Sequence, residues 1–376
     1  MLWKLPIREC STERAAEMNL TNYRHGGEIF SFSPQERNRI LDFSININPV
    51  GLSPMGRKAI ERFWEIETTR YPDVDGRDVI SSLSACYHIP GNMIALGNGA
   101  TELMYTILRV LKPSKVLVPA PSFSEYQLSA KAADVPVETF FLNESEQFHV
   151  PAGKVISMMG KRSLVYLGNP NNPDGNLLDY TTFTTIMDAA VYNGSYVVID
   201  ESFIDFVEGD VSFRDFCSKY PNLIVVMSLT KFYAVPGLRI GCLFAAEGMA
   251  SLIRRSLIPW NVNGPVQLYM TYAARDREYI EKTRKFCREE RRAFVNQLSA
   301  FPWLTVYPGT VNFILCRLIG RIKDAAELQK RLLPHEIMIR QCGNYDGLDN
   351  SFFRLAVRKK EENKKLIDTL KEVWGE

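Results

Sequence analysis

Charge of one sign, cysteine pairs and long apolar runs are all missing from this chain, and each absence closes off a class of function. Forty-five lysines and arginines stand against 43 aspartates and glutamates, a formal net charge of +2 over 376 residues. Nothing global draws the chain to nucleic acid or an anionic membrane, so any anion site must be local. The seven cysteines, at 10, 86, 217, 242, 287, 316 and 342, are scattered and odd in number, and none stands in a Cys-x-x-Cys pair. The usual zinc and dithiol signatures are therefore lacking, and free thiols in a reducing compartment fit instead. No uninterrupted apolar segment is long enough to cross a bilayer, and the start, MLWKLPIRECSTERAAEMN, is broken by charges where a signal peptide needs an apolar core. The expectation is a soluble, cytoplasmic protein with neither a nucleic-acid nor a membrane partner.

What is present is a chain long enough for one large domain and a smaller one. From residue 94, apolar runs alternate with helical stretches, which predicts an α/β fold built on a mainly parallel, seven-stranded sheet covered on both faces. Strands are expected at 94–97, 115–119, 137–141, 163–167, 196–200, 223–228 and 239–244, and helices at 54–67, 101–111, 124–133, 180–193 and 213–219. A short helix at 12–18 and an extended segment at 41–49 precede them. After residue 259 a long charged helix over 265–298 leads into a smaller α+β unit, with strands at 304–307, 312–316, 337–340 and 352–356 and helices at 325–333 and 360–374. The expected domains are a segment 1–48 that joins the small domain, a large domain 49–259 and a small C-terminal domain 260–376.

The stretch from Ser228 to Gly241, SLTKFYAVPGLRIG, puts a hydroxyl, an amine and a guanidinium within a short span: Ser228, Lys231 and Arg239. A lysine amine can form a Schiff base with a carbonyl when its surroundings disfavour the protonated form. Ser228 and Arg239 could hold a phosphate beside it, although in isolation a surface lysine after a strand reads the same way. Gly97-Asn-Gly-Ala-Thr101-Glu lies between a strand and a helix. Its glycines Gly97 and Gly99 allow close backbone approach, and the amides of Ala100 and Thr101 suit an anion at a helix start. A tight turn with a threonine cap is the alternative, and the absent third glycine of G-x-G-x-x-G removes the dinucleotide fingerprint.

Asp200 closes the run Tyr196-Val-Val-Ile-Asp200. Buried there, it needs a cation such as a protonated pyridine nitrogen; a helix cap or a structural ion pair would also fit. The stiff turn Asn169-Pro-Asn-Asn172-Pro-Asp-Gly175 can present the Asn172 amide, and Phe123 either stacks on a flat ring or packs in the core.

In order and spacing, GNGATE, APSFSEY, NPNNPDG, VVIDESF and SLTKFYAVPGLRIG resemble the fold-type-I pyridoxal-phosphate enzymes of the aspartate aminotransferase superfamily, over nearly the whole chain. The resemblance implies the fold of those transferases and pyridoxal 5′-phosphate as cofactor. It implies Lys231 as the Schiff-base lysine, Asp200 on the pyridine nitrogen, Asn172 on the ring hydroxyl and Phe123 stacked on the ring. Ser228, Arg239, Gly99, Ala100 and Thr101 would hold the phosphate. Tyr71, in Arg70-Tyr71-Pro72, resembles the tyrosine that reaches the phosphate from the neighbouring subunit, which implies a homodimer.

Two branches of the superfamily compete, the histidinol-phosphate aminotransferases and the L-threonine-O-3-phosphate decarboxylases of cobalamin assembly. The second is more similar, in HGG at 25–27, DFSININPVG at 42–51, DESFIDF at 200–206, IPWNVN at 258–263 and IRQCGNYDGL at 339–348. That likeness implies a small phospho-amino acid as substrate, decarboxylation as the reaction and a cobalamin-assembly enzyme as partner. Arg354 matches the arginine that binds the substrate carboxylate, and Arg340, His25 and Asn48 are the candidates for its phosphate. A strand-end salt bridge would equally explain Arg340, and a turn His25. Phe203 stands where aminotransferases carry a tyrosine and cannot donate to the cofactor ring oxygen, which favours the decarboxylases. Asp174 replaces the usual threonine of the asparagine turn. A cofactor-sensing regulator would need a DNA-binding domain, for which the N-terminal segment is too short and insufficiently basic.

Overall fold

The structure, a computed structural model, describes residues 26–209, 211–322 and 324–375. The helix expected at 12–18 lies outside them. After β1 (Leu41–Asp42), seven strands form one sheet: β2 (Ile94–Gly97), β3 (Val116–Ala120), β4 (Val137–Phe141), β5 (Leu164–Gly168), β6 (Tyr196–Asp200), β7 (Leu223–Ser228) and β8 (Gly241–Ala245). Their order is β2-β8-β7-β6-β5-β3-β4. β8 runs antiparallel to β2 and β7, and the other pairs are parallel, as a mainly parallel sheet requires.

Burial on both faces explains why these strands read as continuous apolar runs rather than as alternating ones. Within β7, Leu223, Val225 and Met227 join the core on one face, while Ile224 and Val226 join the core on the other. Parallel strands also bring their carboxyl ends to one edge. There Gly168 pairs with Asp200, Asp200 with Val226, and Ser228 with Gly241, which also faces Gly97. Open α/β sheets bind ligands at this edge.

The smaller part is an antiparallel sheet of β9 (Leu304–Tyr307), β10 (Phe313–Leu318), β12 (Arg340–Gln341) and β13 (Phe352–Ala356), in the order β12-β13-β10-β9. Between β10 and β12, β11 (Ile337–Met338) leaves that sheet and pairs with β1 in parallel. A second core forms here, and Phe43 of the early segment is buried in it beside Phe294, Ile314, Phe353 and Leu366.

Several expectations change. The stretch expected as one strand over 337–340 is divided between two sheets. The helix expected at 213–219 is a 3-10 turn, Arg214–Ser218. The extended segment expected at 41–49 contributes only two residues of strand. Helices Arg77–Tyr87 and Glu247–Ser256 were not foreseen.

The long helix expected over 265–298 is two helices, Gly264–Ala273 and Arg277–Leu298. The first lies so close to helix Pro54–Thr68 that a methyl on Gly56 would come within 2.6 Å of Tyr269. Asp276 makes the break between them. It is buried, caps the second helix through the Tyr279 amide at 3.2 Å, and accepts from the Ser53 hydroxyl at 2.7 Å. Among the described residues no helix is long and apolar enough to cross a membrane.

Asp276 therefore ties three elements. We expect Asp276→Ala to lower the unfolding free energy by about 2–4 kcal/mol, from a lost cap and a stranded buried hydroxyl. A urea midpoint close to that of the parent protein would contradict this.

Candidate active site

Lys231 sits in the single-turn helix Leu229–Phe232 that leaves β7. Its carbonyl accepts from the Asn48 amide at 3.0 Å, and its amine lies 5.7 Å from the centre of the Phe203 ring. Burial is the largest influence on that amine and brings its pKa down to about 8, helped by the guanidinium groups of Arg239 and Arg354 and opposed by the Asp200 carboxylate. At neutral pH roughly one amine in ten is then unprotonated, against about one in a few thousand for a free lysine. Phe203 meets Phe313 edge-on at 5.0 Å, so this side of the lysine is hydrocarbon.

Asp200, at the end of β6, is 7% exposed. One carboxylate oxygen accepts from the Tyr126 hydroxyl at 2.8 Å and the other from the Ser202 amide at 2.9 Å. No ion pair joins it to a described residue. Tyr126 is fixed by stacking on Tyr166, with ring centres 4.7 Å apart and planes 3° from parallel. Tyr126 went unnoticed in the sequence, although it lies one helical turn after Phe123 in the same motif.

At the other side of Lys231 the chain forms a cradle. Gly99 has φ +84, and a methyl group on it would lie 2.6 Å from Arg239 Nη2. The guanidinium therefore rests directly on the glycine loop. A methyl on Gly241 would lie 2.5 Å from the Ala100 nitrogen. Helix Ala100–Leu111 begins at this contact, and no side chain caps its first amides, including those of Ala100 and Thr101. Ser228, the register partner of Gly241, shares a 2.8 Å hydrogen bond with the Thr230 hydroxyl. Backbone amides, a hydroxyl and a guanidinium thus converge as an anion site would need.

The smaller sheet brings a third group of side chains. Arg340 and Arg354 are register partners on β12 and β13, so they leave one face of the sheet side by side. They are 9% and 5% exposed. Arg354 donates to Asn172 Oδ1 and, at 3.1 Å, to the Ser44 carbonyl. Turning the Asn46 amide brings its oxygen to 3.2 Å from both terminal nitrogens of Arg354. Burial, and then Arg340 alongside, push the Arg354 pKa below the usual arginine value. Arg340 donates to Asn344 Oδ1 at 2.9 Å and lines a pocket with Phe123, Gln127 and Tyr345.

The remaining expected site residues fall as follows. Asn172 accepts through its oxygen, which leaves its Nδ2 to donate. Phe123 is half-buried at the pocket wall, edge-on to Tyr126 at 5.9 Å. Tyr71 is 84% exposed and lies against Trp260, with ring centres 5.1 Å apart. Asp174 accepts from the Asn171 amide group and, at 2.9 Å, from the Asn176 amide, so it braces the turn that presents Asn172.

Asn48 differs from expectation. Its Nδ2 donates to the Phe232 carbonyl at 2.8 Å and to Tyr279 and Thr283, and its oxygen accepts from the Val50 amide. With both ends committed beneath Lys231, its side chain is not brought to Arg340 or Arg354. His25 lies outside the described residues.

The model of the family "Aminotransferase class I and II" matches residues 38–370. The chain belongs to this family. It is 34% identical over 364 residues to "Threonine-phosphate decarboxylase" of Salmonella typhimurium, covering 95% of this chain and 98% of that one. It is 33% identical to "Adenosylcobalamin biosynthesis bifunctional protein CobDQ" of Leptospira interrogans, covering 95% of this chain and 41% of that one. Among solved structures, the histidinol-phosphate aminotransferase from Clostridium acetobutylicum superposes with a TM-score of 0.83 at 31% identity, over 89% of this chain and 98% of that one.

This family member is a pyridoxal 5′-phosphate enzyme of fold type I. Its residues fit the cofactor on three counts. Among the described residues Asp200 is a buried carboxylate without an ionic partner, as a pyridinium nitrogen requires. The amides behind Gly99, with Ser228 and Arg239, suit the phosphate. Lys231 carries an amine that is easily deprotonated.

Two measurements follow. Gly99→Val would push a branched side chain into the Arg239 guanidinium, and we expect cofactor affinity to fall by at least about tenfold, or about 1.4 kcal/mol, in a titration followed by absorbance. Because only the neutral amine reacts with an aldehyde, capture of the cofactor by the apoenzyme should accelerate with pH and level off above about 8. A rate that is flat from acid through neutral pH would refute the assigned cause.

Proposed function

We propose that this enzyme decarboxylates L-threonine O-3-phosphate to an amino-alcohol phosphate used in assembling the cobalamin nucleotide loop. The decarboxylase and adenosylcobalamin-biosynthesis relatives support the reaction and its setting. The observation that carries the substrate class is the pair Arg340 and Arg354, two guanidiniums side by side on neighbouring strands and both nearly buried. Like charges so placed repel. A substrate with two anionic ends offsets that repulsion.

In this reading Arg354 holds the α-carboxylate and Arg340, aided by His25, the phosphate. Bound pyridoxal phosphate supplies an aldehyde for the substrate amine and a ring that takes up electrons from whichever bond stands perpendicular to it. The chain's task is to choose that bond by position. Arg354 is held by Asn172 and Ser44, so it orients the carboxylate from a fixed point. Its hydrogen-bonding capacity is already shared, which limits how far it stabilises the ground state. The bond from the α carbon to the carboxylate breaks, carbon dioxide leaves, and Lys231 returns a proton to the α carbon. Phe203 adds no competing hydrogen bond at the lysine.

The proposed assembly is a cytoplasmic homodimer in which the exposed Tyr71 reaches the partner's cofactor phosphate. The division into a segment 1–48, a large domain 49–259 and a small domain 260–376 has support from the pairing of β1 with β11 and the burial of Phe43 in the second core. Helix Gly264–Ala273, in contrast, packs its Tyr269 and Met270 into the core of the large sheet.

A histidinol-phosphate aminotransferase is the second reading, favoured by the structural likeness noted above. Incubation with phosphothreonine, phosphoserine or histidinol phosphate, each with and without 2-oxoglutarate, separates the two. We expect carbon dioxide and amino-alcohol phosphate from a phospho-amino acid without any oxoacid. Amino transfer to 2-oxoglutarate with no gas released would transfer the assignment to the aminotransferases. Lys231→Ala should lose both turnover and the absorbance of the bound cofactor.

A further inference from the structure

Tyr345 was part of a motif in the sequence, but no role follows for it from the reaction itself. In the structure it stands between the two arginines. The Arg340 guanidinium lies 5.0 Å from the centre of the Tyr345 ring. The Tyr345 hydroxyl lies 3.4 Å from Asn172 Oδ1 and 3.5 Å from Arg354 Nη1. One aromatic side chain therefore touches Arg340 with its face and the Arg354–Asn172 pair with its tip.

The loop that carries it is pinned. Its turn is closed by Tyr345 N to the Cys342 carbonyl at 3.0 Å and Leu348 N to the Tyr345 carbonyl at 3.1 Å. Asp346 accepts from Gln127 of helix Glu125–Ala132 at 2.8 Å. Gly347 has φ +87 and approaches the end of β3 so closely that a methyl on it would lie 3.3 Å from the Ala120 carbonyl oxygen. The ring thus has a fixed position relative to the large sheet.

Register partners on antiparallel strands have Cβ atoms only about 5 Å apart, so the strands alone would let the two guanidiniums converge. A flat ring at this point fixes how far apart they end. We propose that Tyr345 is the spacer that sets the distance between the two cationic subsites, and so selects phospho-amino acids by the number of bonds between phosphate and carboxylate. The ring supplies the spacing, through the cation–π contact with Arg340, while the hydroxyl steadies Arg354 and Asn172. Tyr345 acts through the arginines and is a positioning residue. The inference rests on the proposed substrate class.

The test is the kcat/KM of the holoenzyme for carbon dioxide release from phosphoserine, phosphothreonine and phosphohomoserine. Phosphohomoserine is one methylene longer. The parent enzyme should prefer phosphothreonine over phosphohomoserine by tenfold or more, the range one methylene commands in a fitted pocket. Tyr345→Phe should keep that ratio and lower both values by a few fold. Tyr345→Leu, which fills space without a flat face, and Tyr345→Ala should bring the ratio below about threefold, with cofactor content and melting temperature checked in parallel. If Tyr345→Ala does not hold cofactor, the leucine variant decides. A ratio unchanged in the leucine variant overturns the spacer. A parent enzyme that releases carbon dioxide from none of the three phospho-amino acids overturns the substrate class instead, so the two failures are distinct.

Discussion

A buried carboxylate with no ionic partner among the described residues governs this molecule. Asp200 stands at the end of a strand with apolar cores on both sides, where an unpaired charge is costly. Tyr126 and Ser202 hold it in place without neutralising it. Its field opposes the burial that lowers the lysine pKa. The amine of Lys231 is thereby left near neutrality, where proton exchange is easy at physiological pH. In the proposed site, a cationic ring between the two would satisfy the carboxylate and bring an aldehyde beside the lysine.

A second charged feature has the opposite sign. Arg340 and Arg354 are cationic neighbours on β12 and β13, in a sheet separate from the one that bears Asp200. Asn172 links the two regions, since it follows β5 of the large sheet and its oxygen accepts from Arg354 on β13. Under the proposed function, the choice among bonds at the α carbon, and the length of substrate accepted, would both come from how the second sheet is held against the first. The loop at 342–348 does that holding, through Gln127 and the backbone of β3.

Much of the large sheet was legible because both of its faces are buried. Apolar runs such as 223–228 and 196–200 ended in a polar residue at the carboxyl edge, and both bounds were met. Legibility fell where polar capping decides the path. Asp276 breaks a stretch that reads as one long helix, and its partner Ser53 is more than two hundred residues away. Asn48 shows the same limit in the site itself. Beside a family motif it read as a substrate ligand, yet its hydrogen bonds to Phe232, Tyr279 and Thr283 make it a brace under Lys231.

The sequence by itself determined where the residue types of the proposed cofactor site stand, at fixed places after strands: an amine at Lys231, a carboxylate at Asp200, glycines and an arginine around a helix start. Such positions follow from local apolar periodicity and short motifs. Only the tertiary structure decided which side chains meet across the two sheets. The register that sets Arg340 beside Arg354, the ring of Tyr345 between them and the hydroxyl of Tyr126 on Asp200 are contacts between segments distant along the chain. Their geometry is fixed by packing, which local sequence pattern does not encode.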